Sequence, residues 1–360
     1  MIYSNSSFKQ DNISMEKQDI KELTRLELNE LLIAHRFKEC HSRDILKAVY
    51  KQGVKDFSTI IDIPKTLHRF MDERFYISNP EPDNRQVSED GTEKFTIPID
   101  NLDHKDSIEC VYIPETQRGT LCVSSQVGCR FGCVFCVSGR SGFVRNLTTA
   151  EMVSQVTMIE NVKGRGTISN VVFMGTGEPL DNYDNLIRAV NILHDPSGLG
   201  IARKRISIST CGLVPGIERL IKDKLGLRLS ISLHGTTNEK RSALMPINKK
   251  YSLELLKESA REFSQVEGFP VFFEYIMIKG LNTSPEDARS LAEFVKGLNC
   301  KINLIPCNPS PYYSWQPPEP SEIDAFRFIL EELGVFYWIR KSRGKDIAAA
   351  CGLLRERNKS

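Results

Sequence analysis

Neither sign of charge prevails in this chain of 360 residues: 48 lysines and arginines face 46 aspartates and glutamates, a formal charge of +2. That near-balance excludes a histone-like polycation or a basic arm, although a local basic groove would not register in the total. Long apolar runs are missing too, since no uncharged stretch approaches the roughly 18 residues of a membrane span. The opening residues, MIYSNSSFKQDNISMEKQDIKEL, hold no apolar signal-peptide core, so the expected location is the cytoplasm. No internal repeat and no low-complexity tract is present. Hydrophobic residues, at 40%, suffice for a core, which excludes disorder of the whole chain.

Cysteine, by contrast, is plentiful, at positions 40, 110, 122, 129, 133, 136, 211, 300, 307 and 351. A disulfide framework is disfavoured in a reducing cytosol, and a chain of this length does not need one. Seven of the ten are scattered singly, as small buried thiols usually are. The other three, Cys129, Cys133 and Cys136, form C-x3-C-x2-C within VGCRFGCVFCVSGRSGF.

The spacing of apolar residues divides the chain. Residues 1–17 read as a frayed tail and 18–80 as a helical accessory domain. Thr24 and Glu27 make a capping box there, and further helices are expected at Asp44–Gln52 and Lys65–Phe75. SNPEPDNR (78–85) reads as a linker, and residues 81–118 as a short β extension with runs at Lys94–Ile99 and Ile108–Ile113. Strands and helices then alternate through 119–342. The strand runs are Thr120–Ser125, NVVFMG, RISIST, LRLSISLHG, VFFEYIMI, KINLIPC and VFYWIRK. Helical patterns fall near 149–162, 184–194, 215–223, 252–265, 285–297 and 321–333. Such alternation predicts an α/β fold with a parallel sheet, open or closed into a barrel, and ligands at the C-terminal strand ends. Residues 343–360 form a C-terminal loop.

Three thiolates within eight residues can hold a metal. A structural zinc normally takes four ligands and an ordinary ferredoxin cluster four cysteines, so three in one tight loop leave a cluster iron open to a reactant. A zinc knuckle with a remote fourth ligand is the competing reading. C-x3-C-x2-C, with Phe135 before its last cysteine, resembles the signature of the radical S-adenosylmethionine (radical SAM) superfamily. MGTGEPL (174–180) resembles that superfamily's Gly-Glu motif for the SAM amino group. Ser209, Ser232 to His234 and Asn308 lie at or just past strand ends, where polar ligand contacts belong.

Taken together, TLCVSSQVGCRFGCVFC, GFVRNLT, MGTGEPL, LSISLHG, MPINKKY, KINLIPCNP and RKSRGKDIAAACGLL resemble the RlmN/Cfr family of radical SAM RNA methyltransferases, over about residues 88–354. The resemblance implies a partial (β/α)6 TIM-like barrel, a [4Fe-4S] cluster on Cys129, Cys133 and Cys136, and two SAM molecules per turnover. SAM would be held by Gly177, Glu178, Ser209, Ser232, Leu233, His234 and Asn308. It further implies that Cys351 carries a methyl group as S-methylcysteine, and that Glu109 accepts the proton lost from the ring carbon. Cys122 would resolve a protein–RNA crosslink through a transient disulfide with Cys351. On sequence alone, both cysteines would read as small buried residues and Glu109 as a solvated charge.

The substrate implied is an adenosine of 23S rRNA, and also of tRNA, methylated at carbon 2. This electron-poor carbon cannot attack the SAM methyl as a nitrogen or oxygen would, but a carbon radical can add to it. Cfr-type methylation at carbon 8 is the alternative; Pro179 and the INKK segment look more like RlmN. A zinc-containing RNA-binding module without catalysis is the alternative from another class. Arg130, Arg140, Arg145, Lys249 and Lys250 are candidate phosphate contacts, and Lys341, Arg343 and Lys345 around Gly344 suggest a flexible basic loop before Cys351. Cys307 and Cys211 stand where relatives more often carry an aromatic residue and serine. A flavodoxin- or ferredoxin-type electron donor, a monomeric state and no membrane contact complete the expectation.

Overall fold

The computed structural model describes residues 16–101, 104–116, 118–309 and 313–354. Most of the expected tail, and the end of the C-terminal loop, lie outside these residues. At the N-terminal end, β1 (Gln18–Asp19) pairs in parallel with β2 (Phe75–Tyr76). Between them lie α1 (Arg25–Ala34), α2 (Cys40–Leu46) and α3 (Lys65–Arg74). The Thr24–Glu27 capping box is formed in both directions. The helix expected from Asp44 instead begins at Cys40 and passes into a π-helical turn over Lys47–Gln52. Gly53, at φ 71°, ends it.

β3 (Asn84–Val87), β4 (Glu93–Asn101) and β5 (His104–Glu115) run antiparallel into β6 (Arg118–Cys122). β3 begins inside the segment expected to be a linker. It is an exposed edge strand, so it has no apolar alternation to betray it. β7 (Gln126–Gly128) and β8 (Phe143–Asn146) form a small antiparallel ribbon, with α4 (Val137–Ser141) between them.

Thereafter α5 (Thr149–Lys163), β9 (Ile168–Phe173), α6 (Tyr183–His194), β10 (Ile206–Thr210), α7 (Val214–Asp223) and β11 (Arg228–Ser232) follow in alternation. The chain continues through α8 (Asn238–Leu244), α9 (Leu253–Glu267), β12 (Val271–Met277), α10 (Pro285–Val295), β13 (Cys300–Pro306), α11 (Pro320–Glu332) and β14 (Tyr337–Ile339). One ten-stranded sheet results, in the order β14-β13-β12-β11-β10-β9-β6-β5-β4-β3. Seven strands, from β6 to β14, are parallel; β3 and β14 have no strand beyond them, so the barrel is open.

Outward residues such as Ile208, Ile231, Phe273 and Ile302 pack beneath the helices in the main core. The other face carries Ser207, Ser209, Ser230, Ser232, Glu274 and Asn303, and forms a polar interior instead of a second apolar layer.

The N-terminal segment is tied to this frame through Lys21, whose ammonium donates to Ser78 O (2.6 Å), Ser154 Oγ (3.2 Å) and Thr157 Oγ1 (3.0 Å). Burial pushes Lys21 from 10.5 down to about 8, against the attraction of Asp19. Below pH 8 both the native and the unfolded chain hold the proton, and the native state bears the cost of a buried cation. Between about 8 and 10.5 only the unfolded chain still holds it, so this group's contribution to stability rises with pH. The stability difference between the protein and Lys21→Met should therefore climb by about 3 kcal/mol across that window in denaturant titrations. A difference that stays flat with pH would refute the assignment.

Candidate active site

The C-terminal ends of the parallel strands open into a cleft of about 1050 Å³, counting open solvent at its mouth. Its lining includes Cys129, Cys133 and Cys136, as well as Gly177, Glu178, Ser209, Ser232, His234, Asn308 and Cys351. Residues from both ends of the catalytic domain are thus brought to one cavity.

The three-cysteine loop is closed at its base by the β7–β8 ribbon. Gly128, at φ 80°, is obligatory there, because a Cβ would sit 1.8 Å from Gly142 O. Cys129 N donates to Gly142 O (3.1 Å), and Cys136 N to Cys133 O (3.1 Å). Phe135 meets the His234 ring edge-on at 4.6 Å. Burial, reinforced by Cys136 and Cys129, pushes the Cys133 thiol well up, so loading a metal must release protons. Among the described residues, no three histidine, cysteine, aspartate or glutamate side chains converge on a point as one metal ion requires.

The Gly-Glu segment follows β9. Gly177 has φ 101°, and a Cβ there would lie 2.5 Å from Gln126 Cβ. Glu178 is buried, which raises its carboxyl, and it accepts from Cys211 N (2.7 Å) and Leu180 N (3.1 Å). Gly177→Ala is expected to weaken SAM at least tenfold and to cost about 1–3 kcal/mol of stability. SAM titration and thermal melting check this, and unchanged SAM affinity would refute it. Asn308 is buried with Oδ1 unpartnered at the cleft, as an acceptor waiting for a ligand donor would be. The open cysteine triad, the glycine-floored strand end and this orphan acceptor fit a cluster and SAM.

His234 is held neutral, its pKa pushed down to about 3 by burial and by Arg241. Its Nδ1 accepts from Ile276 N (3.0 Å), so the proton sits on Nε2. Leu233 does not line the cleft; its side chain lies in the main core.

Cys351 is exposed to the cleft, on a segment that folds back over the strand ends. Ala349 and Leu354 of that segment pack with Cys122 and Val111. Burial, then the Cys351 thiol, push Cys122 up to about 12, which puts the two sulfurs within electrostatic reach. None of the ten cysteines is joined in a disulfide. The segment on either side of Cys351 is held by hydrogen bonds to the rest of the fold. Gly344 N donates to Asp90 Oδ2 (3.1 Å), Ser88 Oγ donates to Asp346, and Val137 N donates to Gly352 O (2.8 Å). Glu109, on the same face of β5 as Val111, is paired with Lys94 at 3.1 Å; neither lines the cleft.

Arg145 is no free phosphate ligand: Glu151 holds its guanidinium by two short bonds. Arg130 is half-exposed, paired with Asp181 (2.9 Å) and stacked on Phe143. Three buried or half-buried charges escape sequence reasoning. Arg241 lies under the cleft and donates to Asn248 Oδ1 (2.9 Å), Cys211 O (2.7 Å) and Ser232 O (3.1 Å). Glu274 and Arg340 form part of the cleft lining. Burial works against the Arg340 cation, but Cys351, Glu274 and Cys122 outweigh it and hold it above its usual range.

An open parallel half-barrel whose first parallel strand leads into a three-cysteine loop facing a polar cleft defines the class of radical SAM enzymes. Residues 123–295 match the family model of the radical SAM superfamily. A dual-specificity RNA methyltransferase RlmN from a Nitratiruptor species is 39% identical, covering 95% of this chain and 98% of that protein. Its counterpart from Pelobacter propionicus is 40% identical, over 94% and 96%. The crystal structure of a radical SAM methyltransferase from Sphaerobacter thermophilus superposes with a TM-score of 0.87 at 38% identity, over 94% and 99% of the two chains. The chain belongs to the RlmN family of radical SAM methyltransferases, whose chemistry uses a [4Fe-4S] cluster and SAM. Among the described residues, no helix is long and apolar enough to cross a membrane.

Proposed function

We propose that this enzyme methylates carbon 2 of an adenosine in 23S rRNA and in tRNA, through S-methylated Cys351 and a transient covalent link to the RNA. One observation carries the reading: Cys351 lines the same cleft as the cysteine triad, and Cys122 is buried against Ala349 and Leu354 of the segment that bears it. A methyltransferase that merely passed a methyl from SAM to a nucleophile would need neither. The relatives' names, which specify RNA and dual specificity, support the substrate.

Cys129, Cys133 and Cys136 would hold the cluster, and Gly177, Glu178, Ser209, Ser232, His234 and Asn308 would hold SAM. When bound, this pair supplies one-electron cleavage of SAM to a carbon radical, which explains why two SAM molecules are used per turnover. Cys351 accepts a methyl group at sulfur, loses one hydrogen atom from it to the SAM-derived radical, and presents the methylene carbon to the ring. Once the carbon–carbon bond has formed, Cys351 tethers the RNA through its sulfur, and the adduct gives one electron back to the electron-transfer chain. Glu109, once released from Lys94, takes the proton from the ring carbon. Cys122 then attacks the Cys351 sulfur; the sulfur–carbon bond breaks, the methylene takes up a proton to become the methyl group, and a thiol reductant later resets the disulfide. This exchange requires Cys122 to lose its proton despite its burial, so it follows rearrangement of the C-terminal segment. A flavodoxin- or ferredoxin-type protein supplies the electron, and the enzyme acts as a cytoplasmic monomer.

The test is nucleoside mass spectrometry on rRNA and tRNA from cells lacking their own methyltransferase, after treatment with anaerobically reconstituted enzyme, SAM and reductant. 2-Methyladenosine in both RNAs is expected. 8-Methyladenosine would establish the carbon-8 reaction instead. Accumulation of 5′-deoxyadenosine with neither product would mean another substrate. Colourless protein with stoichiometric zinc would leave only the RNA-binding module.

A further inference from the structure

We propose that Glu274 and Arg340 form the subsite that reads the target adenine, Glu274 accepting from its 6-amino group and Arg340 donating to N1. This rests on the functional reading above and adds the residues that select the base.

The two side chains face one another across the interior of the half-barrel, from β12 and from the residue after β14. Glu274 is buried, and Asn303 Nδ2 donates to its Oε1 at 2.9 Å. Its Oε2 has no hydrogen-bond partner. The nearest cation, Arg340 Nη1, stands 3.7 Å away, longer than a hydrogen bond, and the Arg340 side chain is 41% exposed within the cleft. A purely structural pair of this kind would close up, because a buried carboxylate oxygen without a donor is costly. Arg340 is anchored at its backbone, its N–H donating to Leu304 O (2.9 Å), and its side chain forms part of the cleft lining. The gap therefore holds one acceptor and one donor side by side.

A ligand filling it must present a donor next to an acceptor on a flat edge. The Watson–Crick edge of adenine does so with its 6-amino hydrogen and N1. N1 is also bonded to carbon 2, and Arg340 and Cys351 line the same cleft. A base held by this pair turns its carbon 2 toward the sulfur that must reach it. A guanidinium donating to N1 also withdraws electron density from carbon 2, which favours addition of an electron-rich carbon radical. The adenosine of SAM offers the same edge, and Ser232 is the register partner of Glu274 on β11. The target base is favoured because Arg340 shares the cleft lining with Cys351.

The experiment uses the reconstituted holoenzyme and an RNA stem-loop carrying adenosine, purine riboside (no 6-amino group) or 1-deazaadenosine at the target position. With the unaltered enzyme, removal of the 6-amino group should lower kcat/KM by about tenfold to a hundredfold. Glu274→Gln should lose a similar factor on adenosine and little more on purine riboside. Arg340→Met should behave likewise toward 1-deazaadenosine. Losses that multiply independently would make the pair structural and overturn the proposal. A tenfold rise in the KM for SAM, read from methylation of Cys351 without RNA, would assign the pair to SAM's adenosine and overturn it too. If the unaltered enzyme consumes SAM yet leaves the adenosine RNA unmethylated, the substrate reading itself fails. That outcome differs from the others, in which the unaltered enzyme is active.

Discussion

Cys351→Ala should abolish RNA methylation, by at least about 10³-fold, while leaving the protein folded and its SAM site competent. Carbon 2 of adenine has no lone pair with which to displace a methyl group, so the methyl must first be parked on a nucleophile beside the cleft. Cys351 is the cysteine exposed there outside the cluster loop, while Cys211 is tied to Glu178 and Cys122 is buried. The side chain itself is small and exposed, so its loss should barely move the melting temperature. Cys122→Ala should have a different phenotype. Methyl transfer to Cys351 and bond formation to the base need only Cys351, but release needs a second sulfur. This variant should accumulate RNA covalently attached through Cys351, seen as a slowed band on a denaturing gel and located by peptide mass spectrometry. Free methylated RNA at the normal rate from Cys122→Ala would refute the resolving role, and methylated RNA from Cys351→Ala would refute the carrier.

Much of this architecture is legible in the amino-acid order because apolar runs bounded by turn residues mark buried strands reliably. NVVFMG, RISIST and VFFEYIMI coincide with β9, β10 and β12 within two residues at either end. The three-cysteine loop is legible because its spacing is local. β3 is not, since an exposed polar edge strand carries no periodicity, nor are β7 and β8, whose few residues are fixed by pairing across the loop they close. Glu274 and Arg340 were missed for a related reason. A polar residue alternating with apolar ones reads as solvent-facing, but in a half-barrel that face is the interior. Arg145 misled in the opposite direction: a basic residue near the cluster loop reads as a phosphate contact, and only the fold shows Glu151 already holding it. The packing of Cys122 against Ala349 and Leu354 depends on the C-terminal segment turning back over the strand ends, anchored at Asp90 and Ser88, which nothing local announces.

Arg241→Met should cause the largest loss of stability of any single substitution considered, and should also impair the cluster. Arg241 has no solvent exposure and is reached by no carboxylate; its partners are Asn248 Oδ1 and the carbonyl oxygens of Cys211 and Ser232. Those carbonyls lie at or just beyond the ends of β10 and β11, where no further ladder bond can satisfy them, so methionine leaves three buried acceptors without donors. At about 1–3 kcal/mol each, with partial relaxation, the cost should reach at least about 3 kcal/mol, or a fall of roughly 4 °C or more in Tm. Burial already pulls the guanidinium down to about 10, and the thiols of Cys211 and Cys133 work in the other direction. Arg241 is therefore a cation kept at the cleft floor beside one of the cluster cysteines, where bound thiolates need a countercharge. The cluster should then protect the parent protein against melting more than it protects the variant, and iron retained after gel filtration should drop in Arg241→Met. Arg241→Lys keeps the charge but cannot span three acceptors, so it should recover iron retention in larger measure than stability. Equal recovery of both by lysine would show that Arg241 serves only as a hydrogen-bond brace, and would remove the electrostatic part of the argument.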